Sequence, residues 1–130
     1  MATVRYLVDD VDAAIAFYEI LGFKLADRWR PPFAVVTRES LSLWLSGPET
    51  SARKKLENGE LPIPGGWNRV VIEVSDIDSA VGALEAKGAR IRSKPIKGAG
   101  GKQALVEDPS GNPLELFEAR HASAHAPTVP

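Results

Sequence analysis

The sequence predicts an α+β fold built from two repeats, each with the element order β-α-β-β-β. An internal match is the first observation: a shift of 66 positions aligns Asp10 with Asp76 and Gly22 with Gly88. Between each aspartate and the following glycine, apolar residues recur at helical spacing, which predicts a helix that starts after the aspartate and stops at the glycine. Alternating, β-rich segments precede and follow both helices. Such a match indicates a structural repeat.

The composition is that of one ordinary globular domain, which we place over residues 1–120. The chain has 130 residues, no cysteine and a formal net charge of −1. The small net charge gives no reason to expect nucleic acid or an anionic membrane as a partner. Without cysteine there are no disulfides, zinc–thiolate sites or cysteine nucleophiles. No apolar run is long enough to span a bilayer, and a strand pattern begins directly at the N-terminus, so we expect a cytoplasmic protein without a signal peptide.

The first repeat is predicted over residues 1–47. Its helix should run from Val11 to Leu21, because Asp10 can cap the start and apolar side chains follow at helical spacing. Its strands are predicted at Thr3–Val8, Phe23–Trp29, Phe33–Thr37 and Leu41–Leu45. The last two of these strands should form a hairpin.

Residues 48–65 are predicted to be a surface linker, because proline and glycine surround a charged stretch there. The second repeat follows over residues 66–118, with its helix ending near Lys87. Its strands are predicted at Trp67–Val74, Arg90–Lys94, Gln103–Glu107 and Leu114–Phe117. The tail, residues 121–130, is rich in Ala, Ser, Pro and His and is predicted to be disordered.

Three segments carry a family resemblance. They read Val-Asp-Asp-Val-Asp-Ala-Ala-Ile-Ala-Phe-Tyr at 8–18 with Leu-Gly-Phe at 21–23, Val-Ser-Asp-Ile-Asp-Ser-Ala-Val at 74–81, and Glu-Asp-Pro-Ser-Gly-Asn-Pro-Leu-Glu-Leu at 107–116. Together they resemble the vicinal oxygen chelate superfamily, which includes glyoxalase I, extradiol dioxygenases, fosfomycin-resistance enzymes and bleomycin-binding proteins. The resemblance implies two βαβββ modules that form a curled mixed sheet around a shared cavity. It also implies that two chains pair as a homodimer.

The resemblance further implies where a divalent metal would be held in the family's enzymes. The four corresponding positions carry Thr3, Trp44, Arg69 and Glu115. Trp has no lone pair to offer, Arg offers only N–H donors and a positive charge, and Thr is a poor neutral ligand. Because catalytic metal sites need about three donor side chains, we expect no metal and no cofactor here. We expect Arg69 to pair with Glu115 instead.

Strand alternation predicts which side chains face the implied cavity or its mouth. The predicted ligand-binding residues are Arg5, Leu7, Trp29, Phe33, Ser42, Trp44, Ser46, Trp67, Arg69, Glu73, Glu115 and Phe117. Aromatic walls with few polar groups suit a flat, partly apolar ligand. Arginine beside aromatic rings can add cation–π contacts or bind an oxygen-rich group.

The favoured functional hypothesis is a metal-independent protein that binds and sequesters an aromatic natural-product antibiotic, similar to the bleomycin-resistance binders and without catalytic residues. The alternative is a metal-free isomerase or lyase, with Glu115 or Glu73 as general base and an arginine stabilising an oxyanion. A metal-dependent enzyme with unusual ligands is a third hypothesis.

Structural interpretations remain open for the same residues. Trp44 can be a core residue that closes a collapsed cavity, Arg69 and Glu115 can form a purely structural pair, and Trp29 and Trp67 can pack in a dimer interface. The glycine-rich stretch 97–102 lacks the full spacing of a phosphate-binding loop and the helix that should follow it. We predict a lip over the pocket there.

Overall fold

The computed structural model describes residues 1–29 and 31–120. Its strands and helices are β1 (Ala2–Leu7), α1 (Val11–Ile20), β2 (Lys24–Trp29), β3 (Phe33–Arg38), β4 (Leu41–Ser46), β5 (Val70–Glu73), α2 (Ile77–Ala86), β6 (Ile91–Lys97), β7 (Gly101–Glu107) and β8 (Pro113–Ala119). One short 3-10 turn, Ser51–Arg53, lies between β4 and β5. The order β-α-β-β-β occurs twice, which confirms the predicted α+β fold of two βαβββ modules. The predicted disordered tail lies outside the described residues.

The described chain divides into two compact units. The first contains residues 1–66 and 109–112, and the second contains residues 67–108 and those from 113 onward. Each unit has its own four-stranded mixed sheet, with strand order β1-β4-β3-β2 in the first and β5-β8-β7-β6 in the second. In both sheets the first two strands of that order are parallel and the other neighbours are antiparallel. That both sheets line one shared cavity stays a prediction.

The two helices begin and end in the same way. Asp10 and Asp76 each accept a hydrogen bond from the backbone N–H three residues later, at 3.0 and 3.1 Å, and so cap their helices. Gly22 and Gly88 follow the last turns with φ of 88° and 86°, a conformation that favours glycine. The aspartate caps and glycine stops predicted from the repeat are confirmed, although both helices end one residue earlier than predicted. Neither helix has the length and apolar character needed to cross a membrane.

In the first unit, α1 packs against one face of the sheet, in contact with β2, β3 and β4. Alternation sorts the strand residues between the two faces. The buried residues of this core include Tyr6, Val8, Ile15, Tyr18, Phe23, Leu43 and Leu45. The opposite face carries Arg5 and Trp44, which are directly opposite each other on β1 and β4. That face holds the candidate site.

In the second unit, α2 packs in the same way on β6, β7 and β8. Its first strand, β5, begins at Val70 rather than at Trp67 as predicted, and β6 extends to Lys97 rather than ending at Lys94. The glycine-rich stretch is therefore a short hairpin turn between β6 and β7, closed by a 2.7 Å bond from the Gly98 N–H to the Gly101 carbonyl. Its role as a lip stays a prediction.

Candidate functional site

The open face of the first sheet carries a line of side chains that crosses all four strands. Trp29 on β2 lies opposite Phe33 on β3, and the two rings stack with centroids 5.1 Å apart and planes at 29°. Phe33 meets Trp44 on β4 edge-on, with centroids 5.9 Å apart. The Cζ atom of Arg5 on β1 lies 5.0 Å from the centroid of the Trp44 ring. We call these four residues the aromatic lane.

A cavity of about 470 Å³ lies over the aromatic lane. This volume falls within the range of roughly 300–1,000 Å³ that is usual for small-molecule sites. Trp29 is 59% exposed and Trp44 is 38% exposed. The interpretation of Trp44 as a core residue that closes a collapsed cavity is therefore wrong: part of its ring remains accessible beside the cavity.

A buried hydroxyl holds Arg5 in place at one end of the lane. Arg5 Nη1 donates a 3.0 Å hydrogen bond to Oγ of Ser46, which has no exposed surface. Ser46 thus orients the guanidinium over Trp44 from within β4. The cavity lining does not include Leu7, Ser42 or Ser46, and Ser42 is also buried in β4. Of the predicted ligand-binding residues in this unit, the four of the aromatic lane line the cavity together.

Three further lining residues were missed in the sequence: Val35, Thr50 and Ser51. Val35 lies opposite Trp44, and the alternation of β3 after Phe33 could have placed it on this face. Thr50 and Ser51 belong to the segment predicted to be a linker, where no periodic pattern gives a face. A turn fixes this segment, because the Thr50 hydroxyl donates a 2.8 Å bond to the carbonyl of Gly47.

In the second unit, Arg69 and Glu115 form the predicted pair. The Nε and Nη2 atoms of Arg69 donate to Glu115 Oε1 at 3.2 and 2.9 Å, and Nη1 donates to the carbonyl of Trp67 at 3.3 Å. The two side chains are 31% and 16% exposed. The partly buried carboxylate is thus compensated by a charge-assisted pair.

Trp67 is 69% exposed and has a partner that the sequence did not reveal. The Cζ atom of Arg92 lies 4.6 Å from the centroid of the Trp67 ring, and Arg92 Nε donates a 2.7 Å bond to Glu107 Oε2. The two remaining predicted residues of this unit face each other: Glu73 on β5 lies opposite Phe117 on β8, which is buried. Whether these second-unit residues contact a ligand stays a prediction.

A protein-family model matches nearly the whole of this sequence. The Glyoxalase/Bleomycin resistance protein/Dioxygenase superfamily model matches residues 1–116. The chain belongs to this superfamily. An uncharacterized protein of Mycolicibacterium smegmatis is 33% identical over 111 residues, which cover 84% of each chain. A probable chloroplastic lactoylglutathione lyase of Arabidopsis thaliana is 33% identical over 126 residues, but they span 91% of this chain and only 35% of that longer protein.

Solved structures of superfamily members share the fold. An antibiotic binding protein, TnmS3, from Streptomyces sp. CB03234 has a TM-score of 0.65 and 25% identity, with 90% of this chain and 93% of that chain covered. A lactoylglutathione lyase from Agrobacterium tumefaciens has a TM-score of 0.67 and 22% identity, with 91% and 92% covered. The superfamily fold thus supports both binding and catalysis among these neighbours, so the side chains of the site must distinguish the two for this member.

The residues of this superfamily member do not fit a metal of the kind that its enzymes hold. The four expected positions supply one carboxylate, on Glu115, and its Oε1 accepts two hydrogen bonds from the guanidinium of Arg69. Thr3 and Trp44 offer a neutral hydroxyl and an indole. Within residues 1–29 and 31–120, no group of three or more His, Cys, Asp or Glu side chains could hold a metal ion. This donor set differs from the three or so ligands that a catalytic metal requires.

Proposed function

We propose that this superfamily member binds an aromatic small molecule, such as a natural-product antibiotic, in the cavity over the aromatic lane and sequesters it without changing it. The observation that carries the proposal is the described cavity lining, which combines the aromatic side chains of Trp29, Phe33 and Trp44 with the guanidinium of Arg5. Flat rings contribute large contact areas, and an aromatic pair adds about 0.5–1.5 kcal/mol beyond the area it buries.

The chemistry of the lining supports binding over catalysis. Apart from the aromatic lane, the cavity is bordered by Val35, Thr50 and Ser51. An arginine remains protonated at neutral pH, and aliphatic hydroxyls and aromatic rings do not accept protons there. A general base would need a carboxylate, imidazole or amine within reach of the ligand. The described lining residues include none of these groups, whereas they provide stacking surface and hydrogen-bond donors.

A superfamily neighbour adds support for this function. The TnmS3 protein, which its name describes as antibiotic binding, matches this chain over nearly its whole length at 25% identity. Binding without a metal also agrees with the donor set of Thr3, Trp44, Arg69 and Glu115. Both observations support the proposal of antibiotic binding without a metal.

A metal-free isomerase or lyase stays the alternative prediction. It would use Glu115 or Glu73 as the base, but Glu115 Oε1 already accepts two bonds from Arg69. The other oxygen of that carboxylate would then have to take the proton. The relatives named as lactoylglutathione lyases support this alternative, although this chain spans only 35% of the Arabidopsis protein.

The family resemblance also leads us to propose a homodimer in the cytoplasm. The absence of cysteine from the sequence fits a reducing compartment. Sedimentation equilibrium of the purified protein tests the dimer, because a species of twice the chain mass is expected. A single species with the mass of one chain would contradict it.

Tryptophan fluorescence provides the test of the proposed function, because two of the three tryptophans line the cavity. The variant Trp67→Phe retains only the signals of Trp29 and Trp44, whereas the double variant Trp29→Phe/Trp44→Phe retains only that of Trp67. Each protein is titrated with a panel of planar antibiotics, and the compounds are then recovered and analysed by mass spectrometry. We expect saturable quenching in Trp67→Phe and unchanged compounds.

Three results would contradict the proposal. Quenching that is seen only in the double variant, which retains Trp67, would indicate that the ligand binds outside the cavity over the aromatic lane. Chemical conversion of a bound compound would show that the protein catalyses a reaction instead of sequestering the ligand. A folded protein that binds no member of the panel would also count against the proposal.

A further inference from the structure

Each unit stacks an arginine over a tryptophan, but the two arginines have different partners. In the second unit, Arg92 lies over Trp67 and donates a 2.7 Å hydrogen bond to the carboxylate of Glu107. In the first unit, Arg5 lies over Trp44 and donates to the hydroxyl of Ser46, a neutral partner. Across the described ranges 1–29 and 31–120, the ion pairs do not include Arg5. The positive charge is therefore neutralised in one stack and not in the other.

The uncompensated charge of Arg5 borders the cavity. A guanidinium has five N–H donors in a planar fork, and the Ser46 hydroxyl occupies one of them. Among the described residues that line the cavity there is no carboxylate. The other polar side chains of this lining are hydroxyls: that of Ser51 can donate, whereas that of Thr50 already donates to the Gly47 carbonyl. The described lining thus presents aromatic surface together with hydrogen-bond donors and the positive charge of Arg5.

We propose that the cavity selects planar aromatic ligands that carry an anionic group, such as a carboxylate, and that Arg5 is the residue that determines this selectivity. The inference rests on the proposed function and specifies its ligand class. A carboxylate matches the guanidinium fork, and hydrogen bonds between charged partners are shorter and stronger than those between neutral ones. An aromatic cation would instead meet the like charge of Arg5, which none of the ion pairs among the described residues offsets.

Three probes that share one ring system test the selectivity. 2-Naphthoate, 2-naphthamide and 2-naphthylmethylammonium have charges of −1, 0 and +1, and each is titrated into the wild-type protein by calorimetry. We expect 2-naphthoate to bind about tenfold more tightly than the amide, because a charge-assisted hydrogen bond at a partly exposed site is worth roughly that factor. The ammonium compound should bind most weakly. Raising the salt from about 0.02 to about 0.5 M should narrow the difference, because mobile ions screen exposed charges.

Variants assign the effect to Arg5. Arg5→Gln removes the charge and should reduce the preference for 2-naphthoate over the amide to less than about twofold. Arg5→Lys keeps the charge without the planar fork and should retain part of the preference. Lys87→Gln removes one positive charge from the exposed end of α2 and should retain all of it, which separates a local effect from one of net charge. Thermal melts monitored by circular dichroism show whether each variant is folded.

The outcomes separate this inference from the proposed function. Equal binding of 2-naphthoate and the amide by the wild type, or a full preference in folded Arg5→Gln, overturns the role of Arg5 and leaves aromatic binding intact. If Arg5→Gln does not fold, the probe series and its salt dependence in the wild type still decide the ligand class. If no naphthalene probe and no member of the antibiotic panel binds the folded protein, the proposed function fails and this inference fails with it.

Discussion

Trp44 and Glu115 occupy equivalent positions in the two halves of the chain. Trp44 lies opposite Arg5 in the pairing of β1 with β4, and Glu115 lies opposite Val71 in the pairing of β5 with β8. Arg5 and Val71 are themselves 66 residues apart, as are the capping aspartates. The duplicated framework therefore carries an aromatic wall at this position in one half and one member of an ion pair in the other.

Trp44→Ala should weaken ligand binding by about tenfold or more, because it removes the ring that contacts both Phe33 and Arg5. Trp44→Phe is the matched control, since it keeps a ring at the same position and should lose less affinity. Calorimetry with the tightest compound of the panel measures both constants. An alanine variant that binds as tightly as the wild type would show that the ligand does not use this ring.

Ligand binding should not depend on divalent metal, because the expected donor set contains one carboxylate and that group is paired with Arg69. The dissociation constant should stay within about twofold after EDTA treatment and after addition of Zn²⁺ or Mg²⁺. Metal content measured on protein purified without chelator provides an independent check. A stoichiometric metal whose removal abolishes binding would show that other side chains hold it.

Gly101→Ala should destabilise the protein by about 2–4 kcal/mol, because only glycine fits at this point of β7. Gly101 has a φ of 153°, and a Cβ there would lie 2.0 Å from the carbonyl oxygen of Glu118 on β8. Gly98→Ala in the same hairpin turn is the control, because the nearest atom would be 3.7 Å away. Urea denaturation compares the two variants, and similar midpoints would contradict the prediction.

Asp10→Ala and Asp76→Ala should each reduce the free energy of unfolding by about 1 kcal/mol, because each removes the side chain that caps a helix. The double variant should show about the sum of the two effects if the caps act independently. Asp10→Ser and Asp76→Ser retain a capping oxygen and serve as controls. A loss in only one of the two alanine variants would mean that the equivalent caps do not contribute equally.

Asn112→Ala should reduce the free energy of unfolding by about 2–3 kcal/mol, because two backbone groups lose their partner. The buried Asn112 amide donates a 2.6 Å bond to the carbonyl of Leu7, and its oxygen accepts a 2.9 Å bond from the Gly65 N–H. Asn68→Ala, at an exposed position, should change stability by less than about 0.5 kcal/mol. Thermal unfolding of both variants is the measurement, and equal melting temperatures would refute this role for Asn112.

The sequence predicted the fold because its main signals are local. The aspartate caps, the glycine stops and the helical spacing depend on neighbouring residues, and their repetition gave two independent indications of each element. Alternation along β1 and β4 likewise placed Arg5 and Trp44 on one face. A strand of regular pleat carries that information in its sequence alone.

The parts that were missed depend on irregular backbone. Thr50 and Ser51 reach the cavity through a turn that no periodicity describes. Arg92 lies on a strand whose register shifts between Ile91 and Ser93 and again between Ser93 and Ile96, so simple alternation does not identify its neighbours. The partner of Trp67 could not be inferred for this reason.

The first unit is not continuous along the chain, since it includes residues 109–112 in addition to 1–66. From this distant segment, the Ser110 hydroxyl accepts a bond from the Asp9 N–H, and Asn112 bonds to Leu7 and Gly65. During synthesis on a ribosome, the N-terminal sheet and helix emerge long before these partners do. The first unit is thus completed only after both helices and strands β1 to β7 have been synthesised, so the N-terminal half cannot reach its final structure before most of the second half exists.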